Sequence, residues 1–469
     1  MGEGEDEMSI LGGIMVPHPP LIIPEVGKGG EKQIEKTRKA YEEASKFIAE
    51  LEPETIVLIS PHSVMYADYL HISPGYEAKG NLSAFGAGQV KFSVRYDSEF
   101  SNRLCELAED FYIPAGYLGE KDKNLDHGSM VPLYFIQKQY SNFEMVRIGI
   151  SGISLEEQYQ FGSLIKRASK ELNKKVAIVA SGDLSHKLKH DGPYGFDEAG
   201  PVYDEKIMNV MGRAAFEELL EFDPVLLEKS AECGHRSFVI MAGAFDKLSI
   251  DTTVYSHEDV TGVGYGVCSF RVLGTDESRD FFTRHEKKEE KKLADRKSNE
   301  DEYVSLARLI IENYVDKGEL MDLPGNLPEE MYENKAGVFV SLHMRGQLRG
   351  CIGTICPTTD SVAEEICQNA ISACARDPRF NPVTKNELKY LEYSVDVLGQ
   401  PEDISSTGEL DVKKYGVIVT KGSRRGLLLP DLEGVDSVDE QISIAKRKAS
   451  IGEYEKDVKL QRFEVIRHY

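Results

Sequence analysis

The chain has 469 residues, of which 41% are hydrophobic, and its formal net charge is −23 at pH 7. This length exceeds what one hydrophobic core normally serves, so at least two domains are expected. The strong negative charge argues against nucleic acid or an anionic membrane surface as a partner, because both would repel the protein.

Several features predict a cytoplasmic protein. The acidic first residues lack the basic and then apolar form of a signal peptide. No uninterrupted apolar run reaches the ~18–20 residues of a membrane-spanning helix. The seven cysteines are odd in number and include no CxxC pair, which indicates reduced thiols and not a disulfide framework.

Strand-like and helix-like segments alternate in the first part of the chain. Apolar residues recur at helical spacing over 34–51, and continuous apolar runs typical of buried strands lie at 10–16, 55–59, 145–150 and 176–180. Late strands are expected at 254–256 and 262–267. The alternation predicts an α/β domain with a mainly parallel central sheet covered by helices.

A charged segment nearly free of apolar residues divides the chain. It cannot bury a face, which is typical of a linker or a solvated helix. Beyond it, the pattern predicts an α+β domain with antiparallel hairpins, from hairpin signals at 337–353 and 416–429, a helical pattern over 361–375 and a strand-like run over 391–398. The expected division is residues 8–273, a linker at 274–299, and residues 300–469.

Histidines stand just past several of the predicted strands. His18 lies in VPHPP, His62 in SPHS and His186 in SGDLSH, while His127 opens the segment DHGSM. Loops at the carboxyl ends of strands in an open α/β sheet converge on one crevice, so we expect these rings to meet. Imidazoles delivered in this way are usual ligands for iron or zinc. Glu232 in SAECGHRS offers the carboxylate of a two-histidine, one-carboxylate set, which leaves positions open on a non-heme Fe(II).

These motifs, with the glycine-spaced segment 262–265, resemble the class III extradiol ring-cleavage dioxygenases of the LigB type and the related Memo proteins. The resemblance implies Fe(II) held by His18, His62 and Glu232, and it implies that His186 and His127 are the acid/base histidines beside the metal. The implied reaction is the opening of a catechol-like or related aromatic ring by dioxygen. A histidine with a pKa near neutrality suits the proton transfers of such a substrate.

The third ligand has an alternative. Memo-like relatives carry a cysteine in the corresponding segment, where this chain has both Glu232 and Cys233. We favour Glu232, because adjacent residues of an extended segment point in opposite directions and the ring-cleaving pattern uses a carboxylate. A Cys233 ligand would favour another metal, such as copper. Two alternatives to the dioxygenase therefore stay open: a Memo-like metal- or ligand-binding scaffold without ring cleavage, and a zinc hydrolase.

The second part of the chain carries its own motif. The sequence QLRGCIG at 347–353, supported by RDPRF at 376–380 and GLLLP at 426–430, resembles the AMMECR domain family over residues 300–469. The fusion resembles the AmmeMemoRadiSam system, in which a radical S-adenosylmethionine protein is a third component. This chain has no CxxxCxxC motif, so that partner is expected to be a separate protein. The resemblance is also compatible with a homo-oligomer.

Individual residues of this second motif have assignable roles. Arg349 and Arg376 are expected to act as fixed forks for a carboxylate or a phosphate. Cys351 is expected to be a small, packed cysteine between glycines. The alternative role for Cys351 is that of a nucleophile, which requires a nearby base, and His343 on the preceding strand is the candidate.

Overall fold

The computed structural model describes residues 9–119, 124–344, 346–432, 434–455 and 457–469. The acidic start of the chain, residues 1–8, and the turn residue Arg345 of the first predicted hairpin lie outside the described residues. The chain forms two compact units, residues 1–286 and residues 287–469.

The first unit contains a central sheet and surrounding helices. Its strands are β1 (Ile10–Val16), β2 (Thr55–Ser60), β3 (Leu70–His71), β4 (Glu77–Leu82), β5 (Ala87–Arg95), β6 (Ala115–Gly116), β7 (Glu144–Gly149), β8 (Val176–Ser181), β9 (Leu248–Glu258) and β10 (Tyr265–Thr275). Its helices are α1 (Pro24–Gly27), α2 (Glu35–Leu51), α3 (Ser98–Asp110), α4 (His127–Gln139), α5 (Leu155–Leu172), α6 (Ala199–Gly212), α7 (Pro224–Ser230) and α8 (His235–Ala244). The charged segment then forms α9 (Phe281–Ser298).

The central sheet has the strand order β7-β2-β8-β1-β10-β9. The first four strands run parallel, whereas β10 and β9 pair antiparallel at one side. Side chains of β2 alternate between two cores, with Val57 and Ile59 in one and Ile56 and Leu58 in the other. Both faces of the sheet are therefore covered, which explains why β2 is a continuous apolar run. The mainly parallel sheet expected from the sequence is confirmed.

Parallel pairing also fixes where the functional loops begin. Strands β1, β2 and β8 end at Val16, Ser60 and Ser181, and the registers place these ends side by side at one edge of the sheet. The segments that carry His18, His62 and His186 start directly beyond this edge. Ligand crevices form at such edges in open α/β sheets.

Helix α8 packs against α5 at two glycines. A Cβ atom added to Gly243 would lie 1.9 Å from the carbonyl oxygen of Tyr159, and one added to Gly162 would lie 2.0 Å from the carbonyl oxygen of Ile240. The two backbones therefore approach too closely for a side chain at either position. This contact fixes α8, whose first turn follows the Cys233 segment.

The second unit is built from antiparallel strands and helices. Its helices are α10 (Glu302–Lys317), α11 (Glu329–Glu333), α12 (Val362–Ala375) and α13 (Val438–Lys448). Its strands are β11 (Val338–Met344), β12 (Gln347–Gly353), β13 (Leu391–Leu398), β14 (Glu402–Asp403), β15 (Gly416–Lys421), β16 (Arg424–Leu428), β17 (Lys459–Phe463) and β18 (Val465–His468). They form two sheets, with the orders β12-β11-β13-β18 and β14-β17-β15-β16. The expected α+β fold with hairpins is confirmed. Within the described residues, no helix combines the length and the apolar character needed to cross a membrane.

The glycine contact between α5 and α8 gives a stability prediction. Gly243→Ala should lower the free energy of unfolding by about 1–3 kcal/mol, because the added methyl group meets a backbone oxygen that cannot move away. Gly30→Ala is the matched control, since a Cβ there meets only the Gln33 side-chain nitrogen at 3.9 Å. Calorimetric unfolding of the full chain measures both effects. Equal stability losses in the two variants would contradict the close contact.

Candidate metal centre

The two histidines that follow β1 and β2 meet at the edge of the sheet. The Nε2 atoms of His18 and His62 are 3.0 Å apart, and the two rings are nearly perpendicular, at 87°. His18 is 2% exposed, whereas His62 keeps contact with solvent. The structure thus brings together the two residues expected as imidazole ligands.

His18 is held in place by the segment that follows β8. Its backbone N–H donates to Oδ1 of Asp183 at 2.8 Å, and its Nδ1 lies 3.0 Å from the hydroxyl oxygen of Ser181. The Nδ1 atom of His18 is therefore engaged by Ser181, and its Nε2 atom is the ring nitrogen that faces His62. Such partners orient the ligand nitrogen in metal sites.

Cys233 completes the group of convergent ligand atoms. Its Sγ lies 3.6 Å from Nε2 of His18, and the ligand atoms of His18, His62 and Cys233 all lie within 4.8 Å of one another. We refer to these residues as the three-ligand group. A second set of convergent atoms, from Asp183, His186 and Cys233, adjoins it.

Glu232 has a different contact. Its carboxylate accepts a hydrogen bond from the backbone N–H of His235 at 2.6 Å, at the first residue of α8. Free N–H groups at a helix start attract a carboxylate, since they have no partner within the helix. In the described part of the chain Glu232 belongs to neither set of convergent ligand atoms. Among the described residues, the atom that joins the ring nitrogens of His18 and His62 within 4.8 Å is therefore the Sγ of Cys233.

The two expected acid/base histidines adjoin the three-ligand group. The ring centroid of His127, the first residue of α4, is 4.0 Å from that of His62 and 5.4 Å from that of His18. His186 lies beside Cys233, and its ring packs edge-on against Tyr194 at 5.0 Å. All four histidines singled out in the sequence thus occupy one region of the structure.

Burial controls the protonation of these rings. Desolvation, followed by the nearby His62, His127 and His186, holds the pKa of His18 well below its usual value. Desolvation and the neighbouring His127 lower the pKa of His62 to about 4. Desolvation also lowers the pKa of His127 and of His186. The rings are consequently neutral near pH 7, with nitrogen lone pairs available to a metal or to a proton.

The acidic groups of the site shift in the opposite direction. Burial raises the pKa of Asp183 to about 7 and that of Glu232 to about 7. Burial, with the charges of Asp183 and Glu232, holds the pKa of the Cys233 thiol well above its usual value. Burial thus disfavours the charged form of each of these groups, and a bound cation would favour it.

The donor set itself fits a transition metal. Two imidazole nitrogens and one sulfur converge, and sulfur is a softer donor than the carboxylate oxygen of an iron facial triad. Copper and zinc accept nitrogen and sulfur donors together.

Asp183 also lies at this site, but the sequence analysis did not single it out. Its position could have revealed it, because it stands two residues beyond a strand end, as His18 and His62 do.

The arginine fork expected at Arg349 is already paired. Its Nε lies 2.7 Å from Oε1 of Glu387 and its Nη2 lies 3.2 Å from Oε2, so the guanidinium donates two hydrogen bonds to this carboxylate. Arg376 instead lines a groove of about 310 Å³ with Ile310, Leu320, Met321 and Cys367, among others. The Arg349 interaction therefore ties the β12 strand to the segment that precedes β13.

The partner of Cys351 is a serine. Strand register pairs Cys351 with Ser341, whose hydroxyl donates to Sγ at 3.2 Å, and it pairs His343 with Leu348. The backbone N–H of Cys351 donates to Asp377 at 2.9 Å. The hypothesis that His343 faces this cysteine as a base is not supported by this register.

Comparisons with known proteins identify a family for each part of the chain. The family model described as the catalytic LigB subunit of aromatic ring-opening dioxygenase matches residues 12–268, and the AMMECR1 model matches residues 304–468. Protein CA_C1420 of Clostridium acetobutylicum is 42% identical over 469 residues, which cover 98% of this chain and 99% of that protein. A protein of Thermotoga maritima is 52% identical over 170 residues, which cover 36% of this chain and 98% of that protein.

One similar solved structure is the crystal structure of the uncharacterized protein PH0010 from Pyrococcus horikoshii. It has 33% sequence identity and a TM-score of 0.34, and the match covers 35% of this chain and 88% of that chain. The first unit is an α/β domain with a cluster of candidate metal ligands at one edge of its central sheet. The chain belongs to the LigB family, and it is a fusion of a LigB-type domain with an AMMECR1 domain.

The Arg349 ion pair gives a second stability prediction. Arg349→Ala should lower the free energy of unfolding by about 1–3 kcal/mol, because it leaves the partly buried Glu387 without its partner. Arg349→Lys should recover only part of this loss, since an ammonium cannot form the same two-bond fork. Urea unfolding of the full chain measures both variants. An unchanged unfolding midpoint for Arg349→Ala would instead favour a free anion-binding role.

Proposed function

We propose that the LigB-type domain binds a transition-metal ion through His18, His62 and Cys233. The observation that carries the proposal is the convergence of three ligand atoms within 4.8 Å of one another. Two belong to His18 and His62, directly beyond the ends of the parallel strands β1 and β2, and the third belongs to Cys233, between α7 and α8. The thiolate favours copper or zinc over iron. When bound, such an ion supplies Lewis-acid chemistry or, for copper, one-electron chemistry.

The electrostatics of the site support this proposal. Neutral imidazoles do not have to lose a proton before they bind a metal, and the pKa of His62 is already lowered to about 4. The buried acids Asp183 and Glu232 lie beside the three-ligand group, and a cation offsets the cost of their ionisation. This is the function of a Memo-like metal-binding protein, and it requires no ring cleavage.

A second candidate is the metal-dependent opening of a catechol-like ring by dioxygen, with Fe(II) as the metal. The LigB family match favours it, as does the position of His127 beside His62 and of His186 beside Cys233. Both rings are neutral near pH 7 because desolvation lowers the pKa of each, so each can take a proton from a substrate hydroxyl and return it. The partners in this reaction would be a small aromatic substrate and dioxygen.

The metal ligands are tested by metal content. Cys233→Ser and His62→Ala should each remove most of the metal from protein purified without oxygen, because each deletes one of three donors. Glu232→Gln should retain it, since that side chain caps α8. Elemental analysis of each variant, with circular dichroism as a check of folding, gives the comparison. Loss of metal in Glu232→Gln together with retention in Cys233→Ser would replace our ligand set with the carboxylate set.

The acid/base role is tested by turnover. If the second candidate is right, protein loaded with Fe(II) should consume oxygen with a catechol, and His186→Ala should keep its iron yet lose activity by about 10²–10⁴-fold. An oxygen electrode and a screen of catechols measure this. If the metal-loaded protein takes up no oxygen, ring cleavage is excluded and metal binding is the function that stays. Bound zinc with hydrolytic activity would indicate a hydrolase instead.

A further inference from the structure

One carboxylate, that of Asp126, contacts both the loop that carries His62 and the helix that carries His127. Its Oδ1 accepts a hydrogen bond from the hydroxyl of Ser60 at 2.5 Å, and the same hydroxyl oxygen accepts from the backbone N–H of His62 at 3.2 Å. Two bonds therefore connect Asp126 to the main chain of His62.

The same side chain caps helix α4. Oδ1 of Asp126 accepts from the backbone N–H of Ser129 at 3.0 Å, and Oδ2 accepts from the hydroxyl of Ser129 at 2.8 Å. Asp126 is thus the N-cap residue, and His127 is the first residue of the helix that it caps. An N-cap bond fixes the direction in which the first turn starts.

Close packing leaves little freedom between the loop and the helix. A Cβ atom added to Gly128 would lie 2.4 Å from the Ser60 hydroxyl oxygen and 3.4 Å from Cδ2 of His62. The first turn of α4 therefore rests against the loop beyond β2. A glycine permits this approach without displacing the Ser60 hydroxyl, which gives a role to the glycine of the sequence motif DHGSM.

Arg147 of β7 balances the charge of Asp126. This side chain is 2% exposed, and its Nη1 lies 3.5 Å from Oδ2 of Asp126. Its Nε donates to the Ser73 hydroxyl at 2.8 Å, and Nη1 donates to the carbonyl oxygen of Asn124 at 2.7 Å. A buried charge is costly without a partner, so each member of the pair offsets the burial of the other.

We propose that Asp126, with its charge balanced by Arg147, is a positioning residue that fixes His62 and His127 relative to each other. The inference rests on the proposed metal function and adds to it a pair of residues that touch neither metal nor substrate. Asp126 acts through the Ser60 hydroxyl on His62 and through the first turn of α4 on His127. Residues that orient metal ligands in this way influence affinity without being ligands.

The chain contains a matched control at the opposite end of the same strand. Asp97 caps α3 through the backbone N–H of Phe100 at 2.9 Å, accepts from the hydroxyl of Thr55 at 2.5 Å, and pairs with Lys174 at 2.8 Å. Thr55 is the first residue of β2 and Ser60 is the last. Asp97 therefore has a cap, a hydroxyl bond and an ion pair like those of Asp126, but at the edge away from the histidines.

The test is Co(II) binding by the full chain, followed by titration and by the visible spectrum, which reports ligand geometry. Asp126→Ala and Ser60→Ala should each weaken Co(II) binding by about 10–100-fold and change its spectrum, as loss of an orienting partner does. Ser60→Ala leaves the cap of α4 and the ion pair in place, so it tests the link to His62 even if Asp126→Ala folds poorly. Asp97→Ala should lower the melting temperature yet leave affinity and spectrum unchanged.

The outcomes separate the inference from the function on which it rests. If the unmodified protein binds Co(II), but Asp126→Ala and Ser60→Ala change affinity no more than Asp97→Ala does, the positioning role is wrong and the metal site stands. If the unmodified protein does not bind Co(II), the proposed metal function fails and the positioning role fails with it.

Discussion

Parallel pairing of β1, β8 and β2 determines where the two histidine ligands of the proposed site, His18 and His62, lie. Strands that run in the same direction end at the same edge, and these three end at adjacent positions in the sheet. The loops beyond them supply His18, His62 and the segment with Asp183 and His186, although these residues are far apart in the sequence. The apolar cores on both faces of the sheet make this edge rigid, so short polar loops are enough to hold the rings in contact.

Burial of the side chains at this edge shifts their pKa values. The same desolvation that keeps the imidazoles neutral raises the pKa of Asp183 and of the Cys233 thiol, so burial disfavours the charged form of each of these groups. A bound cation would offset this cost, because it favours the ionised acid and thiolate and accepts lone pairs from the ring nitrogens. These opposite pKa shifts follow from burial, and they support the proposed metal function independently of the sequence motifs.

The sequence predicted those parts of the structure that depend on local pattern. The strand of 391–398 and the hairpin around residue 346 follow from alternating apolar residues and a turn, and the convergence of histidines follows from their places beyond strand ends. The sequence favoured Glu232 over Cys233 as the third ligand, but it could not reveal that the Glu232 carboxylate accepts a hydrogen bond from the backbone N–H at the start of α8. The ion pair of Arg349 with Glu387 could not be predicted either, because the two residues are 38 positions apart in the sequence and only the fold brings them together.

We propose that sulfur, and not a carboxylate oxygen, supplies the third ligand. X-ray absorption spectroscopy of the full chain loaded with Zn(II) measures this directly, because sulfur and oxygen neighbours differ in distance and scattering. The proposed ligand set predicts a sulfur neighbour at about 2.3 Å together with imidazole nitrogens at about 2.0–2.1 Å. A shell of nitrogen and oxygen neighbours alone, with no sulfur contribution, would contradict a Cys233 ligand.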